Sequence, residues 1–167
     1  MKLHLGVIDI PYAKVPAEYK AFRSKSGTPG SETTGDVAEW LENKYHVMEV
    51  FFESKHEAIA KSIEVSVHGA IENMMLGSPH IGSPLEQAAS SITTEFKQFL
   101  SSREIEAIGI PGVPTQAALD GVSHRFKNPR GKYVGKGKNK KFRKNPRRPS
   151  FIDTGLYQAS MTSWFSE

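Results

Sequence analysis

The sequence of 167 residues contains no cysteine. This absence excludes disulfide bonds, thiolate metal ligands and a cysteine nucleophile, and it fits a protein made in a reducing cytoplasm. No run of about 18 apolar residues occurs either, so we expect no membrane span. The first residues soon reach Asp9 and Pro11 and form a poor signal peptide. We therefore expect a protein that is synthesised in a cytosol and has no membrane partner.

Acidic residues are missing from one long stretch of the chain. Residues 121–152 hold twelve lysines and arginines without a single Asp or Glu, whereas the other residues hold ten basic and eighteen acidic side chains. The net charge of +4 is thus the average of a basic segment and an acidic body. Length and composition, with 38% hydrophobic and 24% charged residues, predict a single domain over residues 1–167.

Hydrophobic periodicity predicts an α+β fold, in which two to four amphipathic helices pack on a small sheet. Alternating residues over Leu3–Tyr12 predict a strand, and the polar, Gly- and Pro-containing residues 13–35 predict a flexible arm or long loop. Helical spacing begins at Gly35, as one long bent helix or as two helices that meet near Ser54. A third helix is expected after Ser83. One strand cannot cover three helices, so further strands must come from the C-terminal part or from another subunit.

The C-terminal part begins with a short helix that Thr115 is expected to cap and that runs to Phe126. The basic stretch of about residues 127–149 follows, for which a β-hairpin and a disordered loop are both open, because its apolar residues are few. The aromatic residues Trp164 and Phe165 indicate that the last segment lies in a sheet or an interface.

Patterns for catalysis and for metal binding are missing. No histidine lies three to five residues from another, so no helical pair of metal ligands exists. Asp153-Thr154-Gly155 looks like the turn of an aspartic protease, but only twelve residues follow it, too few for the pocket of such an enzyme. We interpret Asp153 or Thr154 as the cap of a helix that contains Leu156 and Tyr157. We expect no enzyme, no catalytic residue, no metal and no cofactor.

Three C-terminal segments together form a recognisable pattern. They are IPGVPT at 110–115, VSHRFK at 122–127 and, after the basic stretch, RPSFIDTGLYQAS at 148–160. This pattern resembles the neck or tail-completion proteins of long-tailed bacteriophages, a family also described as head–tail joining or virion morphogenesis proteins. The family signature falls on Pro149, Ile152, Asp153, Thr154, Gly155 and Ser160. In this resemblance these residues form a structural turn and cap, with no catalytic role.

The resemblance implies a virion structural protein that is assembled in the host cytoplasm. Such a subunit forms a ring, of six or twelve copies, at the head–tail junction. Its partners are other copies of itself, the portal or connector, and the tail-tube or terminator protein, and DNA passes through its lumen. Two features exceed the family pattern, namely the flexible stretch Lys14–Thr34 and the loop with the duplicated Lys-Asn-Pro-Arg unit at 127–130 and 144–147. They leave the tier of the neck open.

The basic stretch is the candidate contact region. A stretch of cations without carboxylates binds either an acidic protein surface or a phosphate backbone, or stays solvated. The alternative function is accordingly a nucleic-acid-binding protein that uses residues 124–148. The candidate contact residues are Arg125, Lys127, Arg130, Lys132, Lys136, Lys138, Lys140, Lys141, Arg143, Lys144, Arg147 and Arg148.

Overall fold

The computed structural model describes residues 2–12, 32–78, 83–123, 128–135 and 140–166. Helices and small antiparallel sheets are both present, and the predicted α+β class is confirmed. The elements are β1 (Lys2–Val7), α1 (Thr34–Tyr45), α2 (Val47–Met75), α3 (Glu86–Ser101), α4 (Glu104–Ala107), α5 (Gln116–Leu119), β2 (Gly131–Val134), β3 (Lys141–Lys144), α6 (Leu156–Ser160) and β4 (Met161–Ser166).

The first sheet joins the two ends of the chain. β1 pairs with β4 in antiparallel register, from Lys2 opposite Ser166 to Val7 opposite Met161. Trp164 stacks on His4 with a centroid distance of 5.2 Å. The prediction that the aromatic C-terminal segment lies in a sheet is confirmed, and the second strand comes from the C-terminal part as expected.

The predicted first strand is too long, because the chain turns toward α1 after Val7. Thr34 is fully buried, donates its hydroxyl to the carbonyl of Ile8 at 2.7 Å and accepts the N–H of Ile10 at 2.8 Å. A backbone bond from Tyr12 to Glu32 at 3.0 Å holds the two ends of the intervening segment side by side. Residues 13–31, most of the predicted arm, lie outside the described residues.

α1 begins at Thr34, just inside the predicted arm. Thr33 and Asp36 form a reciprocal capping box, in which the Thr33 hydroxyl accepts the Asp36 N–H and the Asp36 carboxylate accepts the Thr33 N–H. These bonds satisfy two backbone N–H groups that a helix start leaves unpaired.

Of the two alternatives that the sequence left open, two helices are present, but they meet at His46 and not near Ser54. His46 is in the left-handed conformation, with φ 51° and ψ 44°. The carboxylate of Glu42 reaches over this break and accepts the N–H groups of Met48 at 2.8 Å and Glu49 at 3.1 Å. A side chain from the end of one helix therefore caps the start of the next, which explains the position of the break.

The core lies where the first half of α2 crosses α3 beneath β4. Phe51 is fully buried and contacts Phe96 and Phe99 edge-to-face, at centroid distances of 4.8 and 5.5 Å. Geometry of this kind adds stability beyond the area buried. The predicted third helix is confirmed, although it starts at Glu86, and its apolar face supplies Ile92, Phe96, Phe99 and Leu100 to the core.

The second half of α2 leaves the core. With 29 residues the helix is about 44 Å long, and its last buried residue is Ser66. The predicted apolar face continues beyond this point, but Val67, Ile71, Met74 and Met75 are exposed. The amphipathic pattern thus predicted the helix correctly, but it did not predict that these four apolar side chains are exposed. No helix among the described residues is long and apolar enough to cross a membrane.

Candidate functional site

The basic stretch forms a β-hairpin in its described part. β2 pairs with β3 from Gly131 opposite Lys144 to Val134 opposite Lys141. Of the two alternatives that the sequence left open, the described residues support the hairpin. The two strands form a sheet of their own, separate from β1 and β4.

The hairpin has an aromatic face and a cationic face. Tyr133 and Phe142 lie opposite each other in the register, with ring centroids 5.2 Å apart, and both are exposed. Since opposite residues share a face and neighbours along a strand alternate, Lys132, Arg143 and Lys141 lie on the other face. Stable hairpins usually bury one face, so the open aromatic pair is the feature that needs an explanation.

The base of the hairpin is tied to the residues around α5. Lys144 forms an ion pair with Asp120 at 2.8 Å, and this hydrogen bond is the main reason that the pKa of Asp120 is lowered. The amide of Asn145 donates to the carbonyl of Pro129 at 2.9 Å, and the N–H of Ser123 donates to the same carbonyl at 2.9 Å. Bonds from both ends of the hairpin therefore hold its base against the residues around α5.

Gly121 allows the returning chain to pass close to α5. Its φ is +64°, and a Cβ at this position would lie 2.4 Å from the carbonyl oxygen of Asn145 and 2.5 Å from that of Pro146. Only glycine fits both the conformation and the space. Gly121 thus joins the short helix to the segment that follows the hairpin.

A buried carboxylate holds the start of the signature segment. Glu106 in α4 accepts the N–H and the hydroxyl of Ser150, each at 2.8 Å, and forms an ion pair with Arg147. The Ser150 hydroxyl also accepts the N–H of Thr115 at 3.2 Å, and the Thr115 hydroxyl caps α5 by accepting the Ala118 N–H. The predicted Thr115 cap is confirmed, but α5 ends at Leu119 and not at Phe126.

Burial alone raises the pKa of Glu106, but the hydrogen bonds from Ser150 and Arg147 outweigh it and lower the pKa overall. The Glu106 side chain is only 6% exposed, whereas Arg147 is 44% exposed. The two bonds from Ser150 are therefore the well-shielded part of this network, and the ion pair is partly screened by water.

Arg148 binds the turn from inside. Its guanidinium donates to the carbonyls of Val122 at 2.6 Å, Ile152 at 2.8 Å and Pro149 at 3.3 Å. Arg147 and Arg148 were predicted as partner contacts, and the structure gives both an internal role in positioning the segment. Contact with a partner stays a prediction for them, as it does for Lys144.

The predicted cap of the last helix is wrong in its position. The N-cap residue of α6 is Gly155, with φ 84°, and no side chain caps from that position. Thr154 contributes one residue earlier, where its hydroxyl accepts the Leu156 N–H at 3.3 Å. Asp153 lies near Tyr12, whose pKa is raised by burial and then by the charges of Asp153 and Glu32. Ser160 is buried and joins α6 to the first sheet, because its carbonyl accepts the N–H of Ile8 at 2.8 Å.

The remaining predicted contact residues separate into two groups. Arg130, Lys132, Lys140, Lys141 and Arg143 are exposed on or beside the hairpin. Arg125, Lys127, Lys136 and Lys138 lie outside the described residues. We use the name hairpin surface for both faces of β2 and β3, the aromatic one and the cationic one, together with the adjoining Arg130 and Lys140.

An open cleft of about 340 Å³ lies beside β1. Leu3 and Leu5 of β1 and Met48 and Phe52 of α2 form its apolar lining, and Glu42 and Glu49 contribute carboxylates. We call this region the acidic cleft. His46 Nδ1 lies 2.9 Å from a carboxylate oxygen of Glu49, and both side chains are exposed. One ligand atom from each of Glu42, His46 and Glu49 lies within 4.8 Å of the others, an arrangement that the helix cap of Glu42 and this pair already account for.

Sequence reasoning missed Glu106 and the acidic cleft. No local signal distinguishes Glu106 from its neighbour Glu104, because the partners of Glu106 lie more than 40 residues away. The cleft combines residues from β1, α1 and α2, which only the folded chain brings together. Comparison with protein families, curated proteins and solved structures finds no match.

Proposed function

We propose that this chain is a structural subunit of the head–tail junction of a long-tailed bacteriophage, which works as one copy in a ring. The proposal starts from the resemblance of the C-terminal half to neck and tail-completion proteins. Its mechanism is geometric: the ring joins the portal or connector to the tail and leaves a lumen for DNA. No reaction is part of this function.

The observation that carries the proposal is the number of surfaces that one chain leaves incomplete. Each sheet has two strands among the residues that the structure describes, and an isolated two-stranded sheet is marginal in water. The end of α2 and the aromatic pair of the hairpin expose large apolar side chains, among them Ile71, Met74 and Tyr133. Surfaces of this kind are typical of a subunit that neighbours complete.

The division of charge supports a head-to-tail ring. A heterologous contact joins two unlike surfaces of neighbouring copies, and such contacts close into a ring when the rotation allows it. Here the described cations of the hairpin and the carboxylates around α1 and α2 are unlike surfaces of one chain. Attraction between them also favours one relative orientation of the copies.

The experiment for this proposal is electron microscopy of the purified protein, alone and after addition of the portal or tail component of the same phage. We expect closed rings of one size with an axial opening. Particles that stay single copies in every mixture would contradict the proposal.

Nucleic-acid binding is a second candidate, favoured by the exposed Tyr133 and Phe142 beside Lys132 and Arg143. Aromatic side chains and cations together bind single strands through stacking and phosphate contacts. Deletion of 132–144 should then abolish binding of DNA or RNA at low salt. In a ring subunit the same deletion mainly weakens association between copies.

A further inference from the structure

We infer that the acidic cleft of one copy receives the β2–β3 hairpin of the next copy, which adds to the free edge of β1. This inference deepens the proposed function and rests on it. It assigns the contact between neighbouring subunits to two defined surfaces, and no strand among the described residues pairs with either of them.

Within the described part of the chain, one edge of β1 has no partner strand. The Ile8 N–H donates to the Ser160 carbonyl at 2.8 Å, which continues the register of β1 and β4 by one residue. Antiparallel pairs alternate, so the backbone groups of Leu3, Leu5 and Val7 point away from β4. Among the described residues the sheet contains only these two strands, so none of them pairs with that edge.

The opposite edge of the sheet is protected. Ser163 of β4 donates its N–H to the hydroxyl of Thr93 in α3 at 3.0 Å, and its own hydroxyl bonds to the carbonyl of Ala89. The helix α3 thus covers the edge of β4. An added strand therefore has one available position, beside β1.

The apolar lining of the acidic cleft lies next to this edge of β1. Leu3 and Leu5 belong to β1, while Met48 and Phe52 belong to α2, and all four line the cleft. Phe52 is 49% exposed although it is a large aromatic residue in the first half of α2. A third strand beside β1 would cover this residue and extend the sheet over the helix, as in other cases of strand addition to a sheet edge.

The hairpin has an apolar face that suits the apolar lining of the cleft, and its charge is opposite to that of the cleft. Its Tyr133 and Phe142 are exposed on one face and supply apolar contact to Phe52 and Met48. The cations Lys132, Lys141 and Arg143 lie on the opposite face of the hairpin, so they attract the carboxylates at the cleft at longer range and do not pair with them directly. If the cleft held the hairpin of the same chain, Phe52 in the cleft and the pair of Tyr133 and Phe142 on the hairpin would be buried. All three side chains are exposed. The occupant is therefore the hairpin of a second copy.

The test uses cysteine cross-linking, in which only the introduced thiols react because the chain lacks cysteine. Two full-length variants, Phe52→Cys and Phe142→Cys, one of them with a size tag, are mixed and oxidised gently. The mixed dimer is then separated without reductant from the dimers that each variant forms with itself. We expect a covalent 1:1 dimer in about tenfold higher yield than from a mixture of Met75→Cys and Phe142→Cys, because proximity raises the effective concentration of the thiols. Met75 is a matched control, since it is apolar, exposed and at the far end of α2.

The outcomes separate this contact from the proposed function. Equal cross-linking of both mixtures, together with oligomers in light scattering, would refute the hairpin contact and leave the ring standing. No cross-linking and no oligomers, also after the portal or tail component is added, would contradict both. The double variant that carries both Phe52→Cys and Phe142→Cys tests contact within one chain. An intramolecular disulfide in this variant would show that the cleft receives the hairpin of the same chain, and it would contradict a second copy as the occupant. Thermal unfolding of each variant confirms that it is folded.

Discussion

The hairpin and the segment that follows it are neighbours in sequence, but their side chains are used in opposite ways. In residues 145–160, Arg147, Arg148 and Ser150 bond to groups inside the same chain. In the hairpin, Lys132, Lys141 and Arg143 are exposed, and so are the aromatic rings. Both regions contain basic residues of the stretch that lacks carboxylates. Basic composition alone therefore does not identify a binding surface, because some of the cations stabilise the fold.

The largest loss of stability is expected at Gly121, which lies close to the point where the hairpin ends and the following segment begins. In Gly121→Ala the new Cβ would clash with the carbonyls of Asn145 and Pro146, in addition to the strain of a positive φ. We expect the free energy of unfolding to fall by about 4 kcal/mol, measured by urea denaturation.

Gly155→Ala is the matched control for that substitution. Gly155 also has a positive φ, of +84°, but no atom lies within 4 Å of a Cβ placed there. This variant should lose only about 1 kcal/mol, the cost of the backbone conformation. Equal losses in the two variants would contradict the close approach of the chain at Gly121.

A somewhat smaller loss is expected when the buried carboxylate is removed. Glu106→Ala leaves the N–H and hydroxyl of Ser150 without their acceptor, and Ser150 is fully buried. We expect a loss of about 3 kcal/mol in the same denaturation experiment. The control is Glu64→Ala, which removes an exposed ion pair with Lys61 and should cost less than about 0.5 kcal/mol. A loss at Glu106 as small as that at Glu64 would show that the network does not hold the segment.

The same carboxylate predicts a dependence on pH. The folded-state pKa of Glu106 lies below its ordinary value of 4.5, so the stabilisation is complete above that pH and is lost as the pH falls below it. The difference in unfolding free energy between the wild type and Glu106→Gln should therefore shrink in acid, as measured by denaturation at a series of pH values. A difference that grows below pH 4.5 would reverse the assigned direction of the shift.

The smallest effect on stability is expected at the hairpin surface. Lys132, Lys141 and Arg143 are exposed, so replacement of all three by serine should change the free energy of unfolding by less than about 0.5 kcal/mol. The same variant should associate more weakly at low salt, since it loses the charge that attracts the acidic cleft. Sedimentation at matched concentrations measures this loss, with Lys61→Ser as a control for a cation distant from the hairpin. If the variant associates as strongly as the wild type, the hairpin is not part of the interface between copies.

Sequence patterns predicted the fold class, the helices α1 to α3, the pairing of the C-terminus in a sheet and the Thr115 cap. They failed where a side chain acts across a distance. The break at His46 depends on the carboxylate of Glu42, which bonds to N–H groups six and seven residues later. Ser54 has no such partner for a break and lies within a continuous helix, where its hydroxyl bonds to the carbonyl of Phe51.

The candidate site was predictable only in part. The stretch without carboxylates marked the hairpin, because charge is visible in the sequence. It did not distinguish Arg148, which binds three carbonyls, from Lys141, which faces solvent. Nor could it reveal that the apolar face of α2 continues beyond the core, since an amphipathic pattern looks the same whether a partner covers it or not.

The most direct test of the ring is the mass of the purified protein in solution, measured by light scattering at several protein concentrations and at low and moderate salt. The account predicts one discrete species whose mass is a fixed multiple of 18.5 kDa, corresponding to a closed ring. A mass of 18.5 kDa under every condition, both without and with the portal or tail component, or a distribution that grows continuously with concentration, would contradict the ring.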